Sequence, residues 1–169
     1  LILLLCASPV IAQDFPDKPV ISTMQLGDVP RGWCRNPDGS CVQCSISMVG
    51  FHANDPRAYT LLWDSPYGSA VRGGSWPARV ANYCNQRGIK AWNITGYENT
   101  DPWMRWAVKT GRYAAIGAGR AHFQTLYGYD YSDKKWLVCN NNSTHRIDRY
   151  DEGSFRNLHL ASGPWIVVL

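Results

Sequence analysis

The hydrophobic pattern changes period after Gly111. Before it, apolar residues come in short stretches with helical spacing, punctuated by Pro and Gly. From Cys44 to about Ala53 the run CSISMVGFHA is mostly apolar and small, which predicts a buried helix entered from the turn-forming Pro37-Asp38-Gly39-Ser40. Residues 56–63 read as a second short helix, and 64–75, with Pro66, Gly68, Gly73 and Gly74, as a loop. Ser75-Trp76-Pro77 opens a clearer helix, with Val80, Ala81 and Cys84 as its buried stripe and Gly88 as its stop. Ile89 to Ile94 reads as a strand, and Thr100-Asp101-Pro102 starts a further helix that Gly111 ends.

Past that point short strands take over: Tyr113 to Gly117, His122 to Tyr129, Trp136 to Cys139 and Arg146 to Tyr150. Asp151 to His159 reads as a last helix and Pro164 to Leu169 as a closing strand. Helices first and an antiparallel sheet afterwards, with no βαβ alternation, make an α+β plan in which an N-terminal helical part packs on the sheet.

The N-terminus reads differently. LILLLCASPVIAQ is apolar as far as Val10, too short to span a bilayer, and ends in Val10-Ile11-Ala12, the small-residue pattern of a signal cleavage site. Residues 1–12 are therefore expected to be the remnant of a secretory signal, 13–32 an extended lead-in and 33–169 the folded domain. The expected location is secreted or otherwise extracytoplasmic, with no membrane contact once the signal is removed. The net charge of +4 is spread thinly and no Lys/Arg run occurs, which argues against a nucleic-acid partner. Five cysteines follow the signal: Cys34, Cys41, Cys44, Cys84 and Cys139. An odd number in an oxidising compartment leaves one thiol unpaired.

Three short motifs carry chemistry. The first is Gly39-Ser40-Cys41-Val42-Gln43-Cys44-Ser45. A thiol reacts as thiolate, and a helix N-terminus lowers its pKa; Cys44 stands where a turn meets an apolar helix. Its own backbone amide would then be available to a developing oxyanion. The Cys-x-x-Cys spacing also suits half a zinc site, a redox pair or structural disulfide partners. However, no second metal-spaced pair follows, so neither a metal nor a cofactor is expected. The second motif runs from His122 along a strand into Gly128-Tyr129-Asp130. The third, Cys139-Asn140-Asn141-Asn142, ends the next strand. A hairpin places His122 near Asn140, whose carbonyl can accept from the imidazole and fix its tautomer. Turn chemistry accounts for three consecutive asparagines equally well.

Taken together, these motifs resemble the papain-like cysteine peptidases: Gly-Ser-Cys41-x-x-Cys44, then His122 running into Gly-Tyr, then Asn140, in that order. The short interval from Cys44 to His122 and the Gly-Tyr-Asp ending resemble the compact branch that includes bacterial leader-peptide-processing peptidases. The resemblance implies a papain-like fold and a Cys44–His122–Asn140 triad that hydrolyses peptide or isopeptide bonds in a peptide or protein substrate. It also implies a Cys41–Cys84 disulfide and leaves Cys34 and Cys139 as a second pair. The chain departs from the family at three positions. Asp38 stands where an oxyanion-binding Gln is usual, so that Gln43 or a backbone amide would have to serve. Ser45 replaces the aromatic after the nucleophile, and Asn141-Asn142 follow Asn140 where a shielding Trp is common. Other readings are an inactive papain-like module used for binding or structure, and an amidase or transamidase acting on cell-wall peptides. Asn93-Ile94-Thr95, Asn141-Asn142-Ser143 and Asn142-Ser143-Thr144 fit glycosylation sequons.

Overall fold

The computed structural model describes residues 33, 35–36, 39–53, 55–59, 77–144 and 146–169. The expected signal and lead-in, Cys34, Asp38 and the loop over 64–75 lie outside them. The described chain is α+β. In chain order it runs α1 (Cys41–His52), α2 (Pro56–Tyr59), α3 (Pro77–Gln86), β1 (Trp92–Thr95) and α4 (Tyr97–Lys109). Then follow β2 (Ala114–Gly117), β3 (Phe123–Asp130), β4 (Lys135–Cys139), β5 (Asp148–Asp151), α5 (Glu152–Ala161) and β6 (Trp165–Val168). Among the described residues no helix is long and apolar enough to cross a membrane.

The strands form one antiparallel sheet in the order β1-β6-β2-β3-β4-β5. Side chains alternate across a strand, and here both faces are covered. Ala115, Leu137, Cys139 and Val167 point into a core shared with Val42, Ile46 and Val49 of α1 and Val80 and Cys84 of α3. Their neighbours Ala114, Ile116, Trp136, Val138, Ile166 and Val168 point the other way, onto Trp103, Met104 and Ala107 of α4 and Phe155 of α5. The expected helix-on-sheet packing is thus one of two layers. The central strands read as continuous apolar runs because both of their faces are buried.

Two helices start earlier than their sequence signals. α4 opens at Tyr97, behind Gly96 at φ 86°, and takes Pro102 into its second turn instead of its first. α1 opens at Cys41, with Ser40 at the cap position, so that Cys44 belongs to the first turn proper. By contrast, α3 ends as expected, with Gly88 at φ 72° and the Ile89 amide returning to Cys84 O at 3.0 Å. The strand expected from Ile89 is confined to Trp92–Thr95, which pairs with β6.

The expected Cys41–Cys84 disulfide is not formed, and the second expected pair joins Cys139 to Cys34, which lies outside the described residues. Cys41, Cys84 and Cys139 are buried free thiols. Burial pushes the Cys84 pKa to about 11, and raises those of Cys41 and Cys139 as well. All three help fill the core between the sheet and α1. Packing as small apolar side chains accounts for them without cross-links. The parity argument that singled out one unpaired cysteine falls with that disulfide.

Candidate active site

The site is built where α1 begins, β3 begins and β4 ends. The Thr125–Cys139 pairing of β3 with β4 sets His122, just before β3, beside the turn that follows β4. His122 Nε2 lies 3.2 Å from Asn140 Oδ1. The amide's orientation is settled by a second contact. The Asn142 backbone N–H, which can only donate, meets the same Oδ1 at 3.0 Å. The imidazole therefore donates from Nε2, and Nδ1 keeps its lone pair as the basic atom. Burial holds the His122 pKa below the ordinary histidine value, opposed in part by the Asn140 hydrogen bond. Both readings of the asparagine run apply here. Asn140 holds the ring, and its carbonyl accepts from Ser143 N at 3.1 Å to close a turn.

Immediately before His122, a tight turn joins β2 to β3. The Ala118 amide donates to His122 O at 3.1 Å, Gly119 takes φ 81°, and Ala121 is held at φ 52°, a region that L residues seldom occupy. The conformation that launches the His122 strand is thus imposed by the turn.

Cys44 is buried, 2% exposed, on the first turn of α1. Its thiol donates to Arg35 O at 3.8 Å. Because α1 starts at Cys41, the Cys44 amide donates to Ser40 O at 2.9 Å. The expectation that this amide stands unused is therefore corrected: it is already spent within the helix. Gln43 is fully buried, and among the described residues neither its Nε2 nor its Oε1 has a hydrogen-bond partner. Asp38, the other residue expected near the oxyanion, lies outside the described residues. No group of three or more His, Cys, Asp or Glu side chains among the described residues is placed to hold a metal ion.

Several contributors escaped the sequence reading. The Trp33 indole donates to Asn140 O at 3.2 Å, which brings a tryptophan to this loop from 107 positions earlier in the chain. Asn36 donates its backbone N–H to Asn141 O at 2.7 Å and its side-chain Nδ2 to Asn142 Oδ1 at 3.1 Å. Asn141 is buried, with its Nδ2 turned towards both α1 and β3. Nothing local marks these residues, since each acts through a partner about a hundred positions away.

Searches of family models and of curated proteins return no match to this chain. Among solved structures, a double glycine motif protease from an AMS/PCAT transporter, determined in complex with the leader peptide, is similar. Its TM-score is 0.53 at 16% identity, and the match covers 85% of this chain and 97% of that one. At that identity the likeness shows the fold alone: the chain shares the α+β arrangement of that protease, as the resemblance led one to expect.

Proposed function

We propose that the chain is a thiol peptidase in which Cys44 is the nucleophile, His122 the acid–base and Asn140 the group that orients His122. The observation that carries this reading is the His122–Asn140 bond, which leaves Nδ1 basic on a ring one residue before Phe123, whose carbonyl shares Asn141 Nδ2 with Cys41 O of α1. In the reaction, His122 Nδ1 takes the Cys44 proton and the thiolate attacks the amide carbonyl carbon. The imidazolium then protonates the leaving amine, and water, deprotonated by His122, hydrolyses the thioester to regenerate the thiol. The similar structure was solved with a leader peptide. A peptide segment bound in extended form is accordingly the substrate class proposed, with export of the protein as part of the same reading. Gln43 is the side chain proposed for the oxyanion: its amide is unpartnered among the described residues but fully buried, so it would have to turn outward to meet the substrate.

A second reading has an observation of its own. The Cys44 amide is committed to Ser40 O and the thiol is aimed at Arg35 O, an arrangement that also suits an inactive module retaining the fold. Alkylation separates the two. The peptidase reading predicts that Cys44 reacts with iodoacetamide at pH 6 far faster than a simple thiol, and that His122→Ala abolishes the difference. If mass mapping shows Cys44 unmodified, or labelled no faster than cysteine in a denatured control, the peptidase reading is wrong.

A further inference from the structure

The turn that carries Asn140 continues into Asn141, whose side chain is 3% exposed where an asparagine run would ordinarily face water. Its Nδ2 lies 3.1 Å from Cys41 O, 3.1 Å from Ser45 Oγ and 3.0 Å from Phe123 O. One amide nitrogen with two hydrogens thus serves an acceptor set drawn from two separate elements. Cys41 and Ser45 are one turn apart on α1, with Cys44 between them, and Phe123 directly follows His122. On its main-chain side, Asn141 O receives the Asn36 amide at 2.7 Å, one residue after the Arg35 carbonyl that takes the Cys44 thiol. Asn141 Oδ1 is buried with no partner among the described residues, so the side chain contributes to the site as a donor.

We propose that Asn141 is a positioning residue that sets the separation between the thiol of Cys44 and the ring of His122, by pinning α1 to the first residue of β3. This rests on the peptidase reading. Proton transfer between sulfur and imidazole depends steeply on their separation, and a shift of about 1 Å in a catalytic group costs on the order of a hundredfold in rate. α1 and β3 come from distant parts of the chain, and core packing alone tolerates sliding on that scale more readily than a directional bond does. Aspartate at this position has the same size but no donor, and would set a carboxylate against the three oxygens that now accept.

The test reads the pH dependence of Cys44 alkylation by iodoacetamide in the full chain, for the wild type, His122→Ala and Asn141→Asp. Each is held well below its own melting midpoint. The expected result is acid-side reactivity in the wild type that His122→Ala removes. Asn141→Asp should lower it by about tenfold at pH 6, the effect of raising the thiol pKa by one unit, while the variant still melts cooperatively. A general loss of stability would move the melt and leave this profile in place. An Asn141→Asp protein with the wild-type profile overturns the proposal and leaves the peptidase reading standing. A wild type with no acid-side reactivity overturns both. If Asn141→Asp does not fold, Asn141→Ser decides: it keeps a shorter donor and should show a partial loss, and a wild-type profile there overturns the proposal.

Discussion

At the scale of single residues, the feature with the clearest energetic signature is Ala121, held at φ 52° one position before His122. A β-branched side chain cannot adopt that conformation without strain. Ala121→Val should therefore lower the unfolding free energy by about 1–3 kcal/mol, and Ala121→Gly should change it by less than about 1 kcal/mol. Urea melts of the two variants check this, and equal losses would show that the turn tolerates either backbone. The same scale shows what could be read from the chain in advance. The pairing of His122 with Asn140 was legible because each residue type has its own chemistry and each stands at the end of a recognisable strand. The roles of Trp33, Asn36 and Asn141 were not, because they depend on which distant backbone atom faces them. Cysteine count misled for a related reason: a buried thiol and a disulfide partner are the same letter, and only packing tells them apart. Burial also corrects the sequon reading at Asn141, whose Nδ2 is turned inward to Cys41 O and Phe123 O.

Among the elements, strands were legible to within one to three residues, because alternation between two cores is imposed from Ala114 to Ile116, from Trp136 to Cys139 and from Trp165 to Val168. Two of the helix starts were not. α4 begins behind Gly96 and α1 behind Ser40, neither of which makes a side-chain cap. The strong Thr-Asp-Pro signal at Thr100 falls inside a helix already under way, where Pro102 forgoes one bond early in the helix. At α1 the difference matters chemically, since a start at Cys41 commits the Cys44 amide to Ser40. The junction of β2 with α5 yields a prediction at this level. Gly117 O accepts from His159 Nδ1 at 2.6 Å, and a Cβ on Gly117 would collide with Ser162 Oγ and come within 2.9 Å of Gly163 O. Gly117→Ala should push β2 away from the α5–β6 turn and cost about 1–3 kcal/mol. Gly117 also pairs with Phe123, so the Cys44 alkylation profile should change along with the melting temperature. A variant that melts like the wild type would mean that this junction has slack.

For the molecule as a whole, acid is the expected weakness. Burial lowers the pKa of His52, His122 and His159 below the histidine reference, and His159 is fully enclosed between Gly117 O and Thr100 Oγ1. Between the folded and unfolded pKa values, the unfolded chain binds the additional protons. The stability from neutral histidines is thus fully present above about pH 6.5 and drains away as pH falls through the folded values. The melting midpoint should drop between about pH 7 and pH 5, and His159→Asn should flatten that slope even though it lowers the midpoint at neutral pH. A slope unchanged in His159→Asn would move the acid sensitivity to other groups.

Three of the bonds that draw the site together reach far along the chain, unlike His122–Asn140, which spans 18 positions. Trp33 to Asn140 spans 107 positions, Asn36 to Asn142 spans 106, and Asn141 to Cys41 spans 100. Contacts between such distant positions close late in folding, after the loop entropy has been met by the sheet. If Cys44 is the nucleophile proposed, it should therefore react as an ordinary thiol early in refolding and gain acid-side reactivity last, in step with global structure. Neither half of the chain on its own would carry the site. Two fragments cut within the 60–76 stretch would have to find each other before any reactivity at pH 6 returned, which makes that reactivity a report on complete assembly.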